Sequence, residues 1–218
     1  DQGVKRVVAL STDKASSPIS LYGATKLAAD KLFIAGNSYS GQQDTRFAIV
    51  RYGNVMGSRG SVIPFFLSQA DSGVLPITDT RMTRFMITLE QGIDLVLHAF
   101  ADMVGGEIYV KKIPSMKIVD TASASVPGAR HEIVGIRPGE KLHEQMISAE
   151  DAPHTYEYAE HFKVLPAIHN WSRDLKRISG GKLVHPNFSY SSDNNPEWMT
   201  VDMLTHWITQ NQEKIGNF

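Results

Sequence analysis

Tyr22 and Lys26 are four residues apart, which on a helix puts a phenol and an ammonium on one face, one turn from each other. A neighbouring ammonium favours the phenolate and draws a tyrosine down from its ordinary pKa of ~10. A phenol tuned this way can take the proton of a hydroxyl while hydride leaves the same carbon. The spacing alone would equally describe an exposed helical pair. Here it follows a β-branched run and a Ser11-Thr12 turn, and that setting favours the functional alternative.

Asp13-Lys14 lies nine residues before Tyr22. Adjacent charges in a turn are ordinarily solvated. These two stand at the carboxyl end of a predicted parallel strand, where open α/β sheets bind their ligands. A carboxyl group and an amine held together there can act as acid and base on one substrate. The run Arg51 to Gly60 (RYGNVMGSRG) is a third candidate. Its glycines permit positive φ and close backbone approach, and Asn54 can donate or accept a hydrogen bond. The run follows another predicted core strand and is expected to open onto the same crevice. Two Arg-bearing runs complete the set, Arg81 to Phe85 and Arg137 to Lys141. Guanidinium groups bind phosphate bidentately and a carboxylate such as Glu140 suits a ribose diol, although surface ion pairing explains these residues equally well on chemistry alone.

The elements that must position these residues alternate. A buried strand is predicted over Val4–Leu10, a helix over Leu21–Ala35 closed by Gly36-Asn37, and a strand over Phe47–Val50. A helix over Val62–Ala70, a strand over Leu75–Ile77, an amphipathic helix over Leu89–Met103 and a strand over Glu107–Val110 follow. Beyond Pro114 the elements shorten: a strand over Ile133–Ile136, a helical turn over Glu140–Ile147, a strand over Phe162–Leu165 ended by Pro166, and a helix from Val201 to about Ile215. No turn signal precedes Asn170 in the stretch after Pro166. Alternation of this kind predicts an α/β fold, a Rossmann-like doubly wound parallel sheet with a small α/β substrate-binding lobe. The division expected is 1–113 for the remainder of a nucleotide-binding domain with interleaved substrate-binding segments, and 114–218 mainly for the lobe.

The chain has 218 residues, of which 42% are hydrophobic, and a formal net charge of -1. Near-neutrality gives no general attraction to nucleic acid or anionic lipid, so an anionic ligand must be held by locally placed Arg and Lys. No apolar run approaches the ~18 residues that span a bilayer. Cysteine is absent, which removes disulfides and Cys-ligated metals and is compatible with the cytosol. The eight histidines are scattered with no close ligand pair, and no metal site is expected. The chain opens on DQGVKR almost directly into a strand, from which preceding sequence is expected.

In order along the chain, LSTDKA, PISLYGATK, RYGNVMGSRGSV, PITDTRMTRFMIT and GIRPGEKLHE resemble the extended short-chain dehydrogenase/reductases. They are most similar to the inverting UDP-N-acetylglucosamine 4,6-dehydratases of the pseudaminic acid pathway. The similarity runs from about Val4 into the tail, where YSSDNN (190–195) and Trp198 also fit. The resemblance implies a lyase that eliminates water from a UDP-sugar by transient oxidation at C4, with bound NADP (NAD as the alternative) as cofactor. It assigns Tyr22 and Lys26 to the redox step and Asp13 and Lys14 to dehydration. Ser11, Thr12, Tyr22, Lys26, Tyr52, Gly53, Asn54 and Val55 would lie by the cofactor. Lys14, Asn54, Ser61, Val62, Thr78, Arg84, Arg137 and Glu140 would hold the nucleotide sugar. Retaining relatives carry Asp-Glu where this chain has Asp13-Lys14, and large membrane-anchored relatives usually lack the tyrosine. A cytoplasmic homo-oligomer that uses neither nucleic acid nor membrane as partner is expected. The rival readings are an NAD(P)-dependent nucleotide-sugar 4-epimerase and a catalytically silent sugar-nucleotide-binding module. The family's Gly-rich phosphate loop is absent, and a strand–GxGxxG–helix unit is expected upstream.

Overall fold

The computed structural model describes residues 3–40, 44–167 and 175–216. In chain order the first half holds β1 (Arg6–Thr12), α1 (Leu21–Tyr39), β2 (Arg46–Tyr52), β3 (Asn54–Val55), α2 (Val62–Ser68), β4 (Val74–Ile77), β5 (Thr83–Ile87), α3 (Leu89–Asp102) and β6 (Ile108–Lys111). The second half holds β7 (Ser115–Lys117), α4 (Ile118–Ser125), β8 (Arg130–Ile133), β9 (Gln145–Ile147), β10 (Thr155–Glu157), β11 (His161–Val164), α5 (Leu175–Ile178), β12 (Lys182–Leu183), β13 (Tyr190–Ser191) and α6 (Val201–Gln210). The fold is α/β. Its elements fall into two compact units, Asp1–Tyr52 with Glu90–Lys112 and Gln145–Tyr190, and Gly53–Leu89 with Ile113–Glu144 and Ser191–Phe218. The chain passes repeatedly between the two.

The first unit is built on a six-stranded sheet of order β1-β2-β6-β11-β10-β12. β1, β2 and β6 run parallel, and β11, β10 and β12 extend the sheet in antiparallel fashion. In β2 the side chains alternate, and each face takes a helix. Ala48 and Val50 pack with Leu95 and Ala99 of α3 and with Met103 just past its end. On the opposite face Phe47 meets α1, with its ring 6.2 Å from that of Phe33. Helices on both faces of parallel strands make this the doubly wound part of the molecule.

Several element ends differ from expectation, each for a tertiary reason. β1 begins two residues late and runs through Ser11-Thr12, so the turn starts at Asp13. Gly36-Asn37 does not close α1. A Cβ on Gly36 would lie 3.2 Å from the Phe47 ring, and the Asn37 side chain exchanges two 3.0 Å hydrogen bonds with the Phe47 backbone. The Gly-Asn pair docks β2 and leaves the helix intact. The stretch 168–170, with its missing turn signal, lies outside the described residues.

In the second unit β5 pairs with β3 in parallel and with β7 antiparallel, and β4 pairs with β8 in parallel. Its core joins Met56, Ile63, Met86, Met116, Leu204 and Ile208, drawn from strands and from α2 and α6. The strand expected over 133–136 is displaced to Arg130–Ile133, and Gly135 at φ 86 turns the chain immediately after it. No helical turn forms over 140–147. The Leu142 carbonyl accepts from Thr83 N–H and that of Glu144 from Ser192 N–H, so the acceptors a helix would use are engaged elsewhere. α2 gives way at Ser68 to a 3-10 turn over Ala70–Ser72, and α6 ends at Gln210, short of Ile215. Among the described residues no helix is long and apolar enough to cross a membrane.

The β10–β11 hairpin carries His161, whose ring stacks on Tyr158 and approaches His98 to 4.5 Å. Burial, with the charges of His98 and Lys163 nearby, lowers its pKa from 6.5 to about 4. Between those values the unfolded chain binds a proton that the folded chain refuses. Stability is therefore unaffected above pH 6.5 and falls as pH drops from there toward 4, by at most about 3 kcal/mol. Denaturant midpoints measured from pH 8 to 4 should show this slope, and His161→Phe should flatten it.

Candidate active site

β1 and β2 end side by side, Ser11 opposite Arg51 and Thr12 opposite Tyr52. Thr12 then caps a 3-10 turn over Asp13–Ala15: its hydroxyl accepts from Lys14 N–H at 3.3 Å and donates to Asp13 Oδ1 at 2.8 Å. Asp13 is fully buried, and Lys14 Nζ reaches the same Oδ1 at 3.1 Å from a side chain that is 38% exposed. Asp13 Oδ2 is buried with no hydrogen-bond partner, as is Ser11 Oγ. Buried carboxylate oxygens are costly to leave unpaired, so Oδ2 is suited to carry a proton or to meet a ligand hydroxyl.

Ser20 caps α1 by accepting from Gly23 N–H at 3.2 Å. Tyr22 stands in the first turn, 54% exposed. Lys26 lies one turn on, with its ammonium 6.0 Å from the Tyr22 ring centroid, within cation–π range. The first unit thus carries Ser11, Thr12, Asp13, Lys14, Tyr22, Lys26 and Tyr52. Burial raises the Tyr52 pKa above its usual 10.0.

The remaining candidates belong to the second unit. Asn54 Oδ1 and Ser61 Oγ are buried without partners, and Ser61 caps α2 by position while its hydroxyl caps nothing. Val62 opens α2 and packs on the core, and Thr78 follows β4, half-buried. Arg137 is exposed on a tight turn in which its N–H donates to Glu140 Oε2 at 3.2 Å and Gly139 takes φ 83. Arg84 is buried. Its guanidinium donates to the carbonyls of Thr83, Leu142 and Lys141 at 2.7, 3.2 and 3.1 Å, and approaches Glu144 at 3.9 Å. It braces the segment that follows Glu140.

Sequence reasoning missed two supports. Asp30 of α1 forms a buried ion pair with Arg51 at 2.9 Å, and Arg51 also donates to the Met146 carbonyl at 2.7 Å. The signal was a lone charge in each apolar pattern, Arg51 within FAIVRY and Asp30 one turn after Lys26. In the second unit the Thr83 hydroxyl contacts His143 Nδ1 at 2.8 Å and Ser192 Oγ at 2.6 Å, which ties the tail motif to β5. No local pattern marks that network.

In the first unit, orphaned polar atoms at the strand end and a phenol with a nearby ammonium fit a nicotinamide cofactor; in the second, an exposed arginine on a glycine turn fits an anionic group. The family described as "Polysaccharide biosynthesis protein" matches residues 1–166. A UDP-N-acetylglucosamine 4,6-dehydratase (inverting) of Campylobacter jejuni subsp. jejuni serotype O:2 is 52% identical over 97% of this chain and 66% of its own length. A UDP-glucose 4-epimerase of Rickettsia canadensis is 39% identical over 98% of this chain and 65% of its own. The X-ray structure of Pen from Bacillus thuringiensis superposes with a TM-score of 0.85 at 32% identity, covering 97% of this chain and 64% of that one. The chain therefore spans about two thirds of the length of these relatives.

Removing Asp30 leaves Arg51 a buried charge without its close ion-pair partner, with Asp151 at 4.0 Å. Asp30→Ala should cost about 3–5 kcal/mol, and the double variant Asp30→Leu/Arg51→Met should recover most of it. Denaturant melts of the two variants test the pair.

Proposed function

The chain belongs to the polysaccharide biosynthesis protein family and carries the motifs of the extended short-chain dehydrogenase/reductases, and from that premise we propose that its protein is a C5-inverting UDP-N-acetylglucosamine 4,6-dehydratase. It is a hydro-lyase that uses NADP, with NAD as the alternative, and works as a cytoplasmic homo-oligomer on the route to pseudaminic acid. The observation that carries this reading is Asp13, fully buried with one oxygen unpartnered and the other on Lys14, directly ahead of the helix that bears Tyr22 and Lys26. A 4-epimerase needs Tyr22 and Lys26 but has no use for an acid–base pair. Incubation with UDP-N-acetylglucosamine decides between them: loss of water supports the dehydratase, whereas a C4 epimer overturns it.

Ser11, Thr12, Tyr22, Lys26, Tyr52, Gly53, Asn54 and Val55 would hold the cofactor. When bound, the nicotinamide supplies the hydride acceptor and donor for oxidation at C4 and reduction at C6. Tyr22 takes the O4 proton as C4 becomes a ketone, and the Lys26 ammonium stabilises the phenolate. The ketone acidifies the C5 proton, which Lys14 removes as a neutral amine while Asp13 protonates the departing C6 hydroxyl. A proton then reaches C5 from the opposite face. The step starts from a neutral Lys14 amine and a protonated Asp13. Thr12 and Lys14 both occupy Asp13 Oδ1, so the proton delivered to the leaving hydroxyl is carried on Oδ2.

Arg137, exposed beside Glu140, would bind the diphosphate and Glu140 the ribose, with Arg84 supporting the same segment through its carbonyl contacts. Ser61, Val62, Thr78 and Asn54 would complete the sugar-nucleotide contacts. Arg137→Ala in the full-length protein should weaken UDP binding by roughly ten- to a hundredfold, or about 1.5–3 kcal/mol, with an unchanged melting temperature. Arg84→Ala should lower both. Calorimetric titration with UDP and thermal melts separate the two roles.

The acid–base and redox pairs separate in single turnovers. Tyr22→Phe should slow C4 oxidation by about 10²–10⁴-fold, and every later step with it. Lys14→Ala should still reduce the bound nicotinamide, seen by absorbance, yet yield little 4-keto-6-deoxy product and no solvent deuterium at C5. Normal product formation by Lys14→Ala would reduce Lys14 to a turn residue.

A further inference from the structure

The two chemical pairs of the first unit are set against each other by backbone. Gly23, directly after Tyr22, lies within α1 and has no positive φ that would call for glycine. What calls for it is space. A Cβ at Gly23 would run into the carbonyl oxygen of Lys14 and lie 3.0 Å from Pro18 Cβ. A backbone carbonyl cannot swing aside as a flexible side-chain end can, so the turn itself would have to move. That turn is held at a second point. Ser17 takes φ 46, a left-handed conformation that costs a side-chain-bearing residue energy. Its hydroxyl donates to Gln145 Oε1 at 2.9 Å.

We infer, on the basis of the dehydratase reading, that Gly23 and Ser17 are positioning residues that set the spacing between Asp13-Lys14 and Tyr22-Lys26. One sugar ring must offer O4 to Tyr22, then C5 to Lys14 and O6 to Asp13, without leaving. C4, C5 and C6 are consecutive carbons, each roughly 1.5 Å from the next. A shift of the turn by less than a methyl group's width takes the acid–base pair off its atoms while Tyr22 keeps O4. Misplacement by about 1 Å costs on the order of a hundredfold in rate. Neither residue touches the reacting atoms, and both act through where they place Lys14 and Asp13.

The test uses the full-length enzyme with its cofactor, in single turnovers with UDP-N-acetylglucosamine. Gly23→Ala should reduce bound nicotinamide near the normal rate, while deuterium entry at C5 and formation of the 4-keto-6-deoxy product fall by roughly a hundredfold. Reduced cofactor should therefore accumulate. Ser17→Gly relieves the strain and removes the Gln145 tie without adding bulk; it should fold and show the same split in milder form. Equal slowing of both half-reactions in Gly23→Ala, or slowing of neither, overturns the inference. If Gly23→Ala does not fold, Ser17→Gly decides, and a uniform effect there overturns it. A wild-type enzyme that makes the product while the variants show no split leaves the dehydratase reading standing and this inference fallen. A wild-type enzyme that makes none sinks both.

Discussion

The first turn of α1 lies so close to the turn after β1 that residue 23 has room for no side chain, and the spacing between Asp13-Lys14 and Tyr22-Lys26 is set at that contact. It brings a backbone carbonyl, that of Lys14, against the helix one residue beyond Tyr22. Side-chain contacts between two elements can be remade in several rotamers, but backbone against backbone admits one arrangement. Asp13, Lys14 and Tyr22 are thereby placed with the precision of main chain. The caps reinforce this from both sides, Thr12 on the turn and Ser20 on the helix. Each hydroxyl satisfies an N–H that a helix start would otherwise leave open.

Helix α1 also has to stay where the turn meets it, and the buried pair Arg51–Asp30 ties it to β2 at 2.9 Å. Taking two charges out of water is expensive, and a well-packed apolar pair would often stabilise as much. What the ion pair adds is direction. Arg51 reaches Asp30 with one nitrogen and the Met146 carbonyl with another, so three segments share one register. Residue 51 opens the RYGNVMGS motif, and its task is architectural. The asymmetry of Asp13, with two donors on one oxygen and none on the other, is of the opposite kind: a polar group left incomplete by its own fold.

In the second unit the organising residue is Arg84, whose guanidinium gathers the carbonyls of Thr83, Lys141 and Leu142. Those contacts draw residues 141–144 into an extended path and leave Arg137 and Glu140 on the tight turn just before it. The network of Thr83, His143 and Ser192 fixes the same path from the tail. A loop with so many of its backbone groups engaged holds its exposed arginine on a preset turn.

Local pattern was enough for the chemical inventory and for most elements. Tyr22, Lys26, Asp13 and Lys14 were legible as types at fixed spacings, and the β-branched runs and the amphipathic 89–102 helix followed from periodicity, which depends only on neighbours in sequence. The resemblance in several ordered motifs pointed to the same chemistry. Partnership was not legible. That Asp30 faces Arg51, that Arg84 holds carbonyls 57 and 58 residues away, and that Gly36-Asn37 docks a strand where a helix end was expected are long-range facts. The same holds for the helical turn expected at 140–147, which failed because its carbonyls found acceptable donors in β5 and the tail. A sequence fixes how many donors and acceptors each stretch carries, but only the folded chain brings distant groups within hydrogen-bonding reach, and the burial that makes each pairing obligatory exists only there.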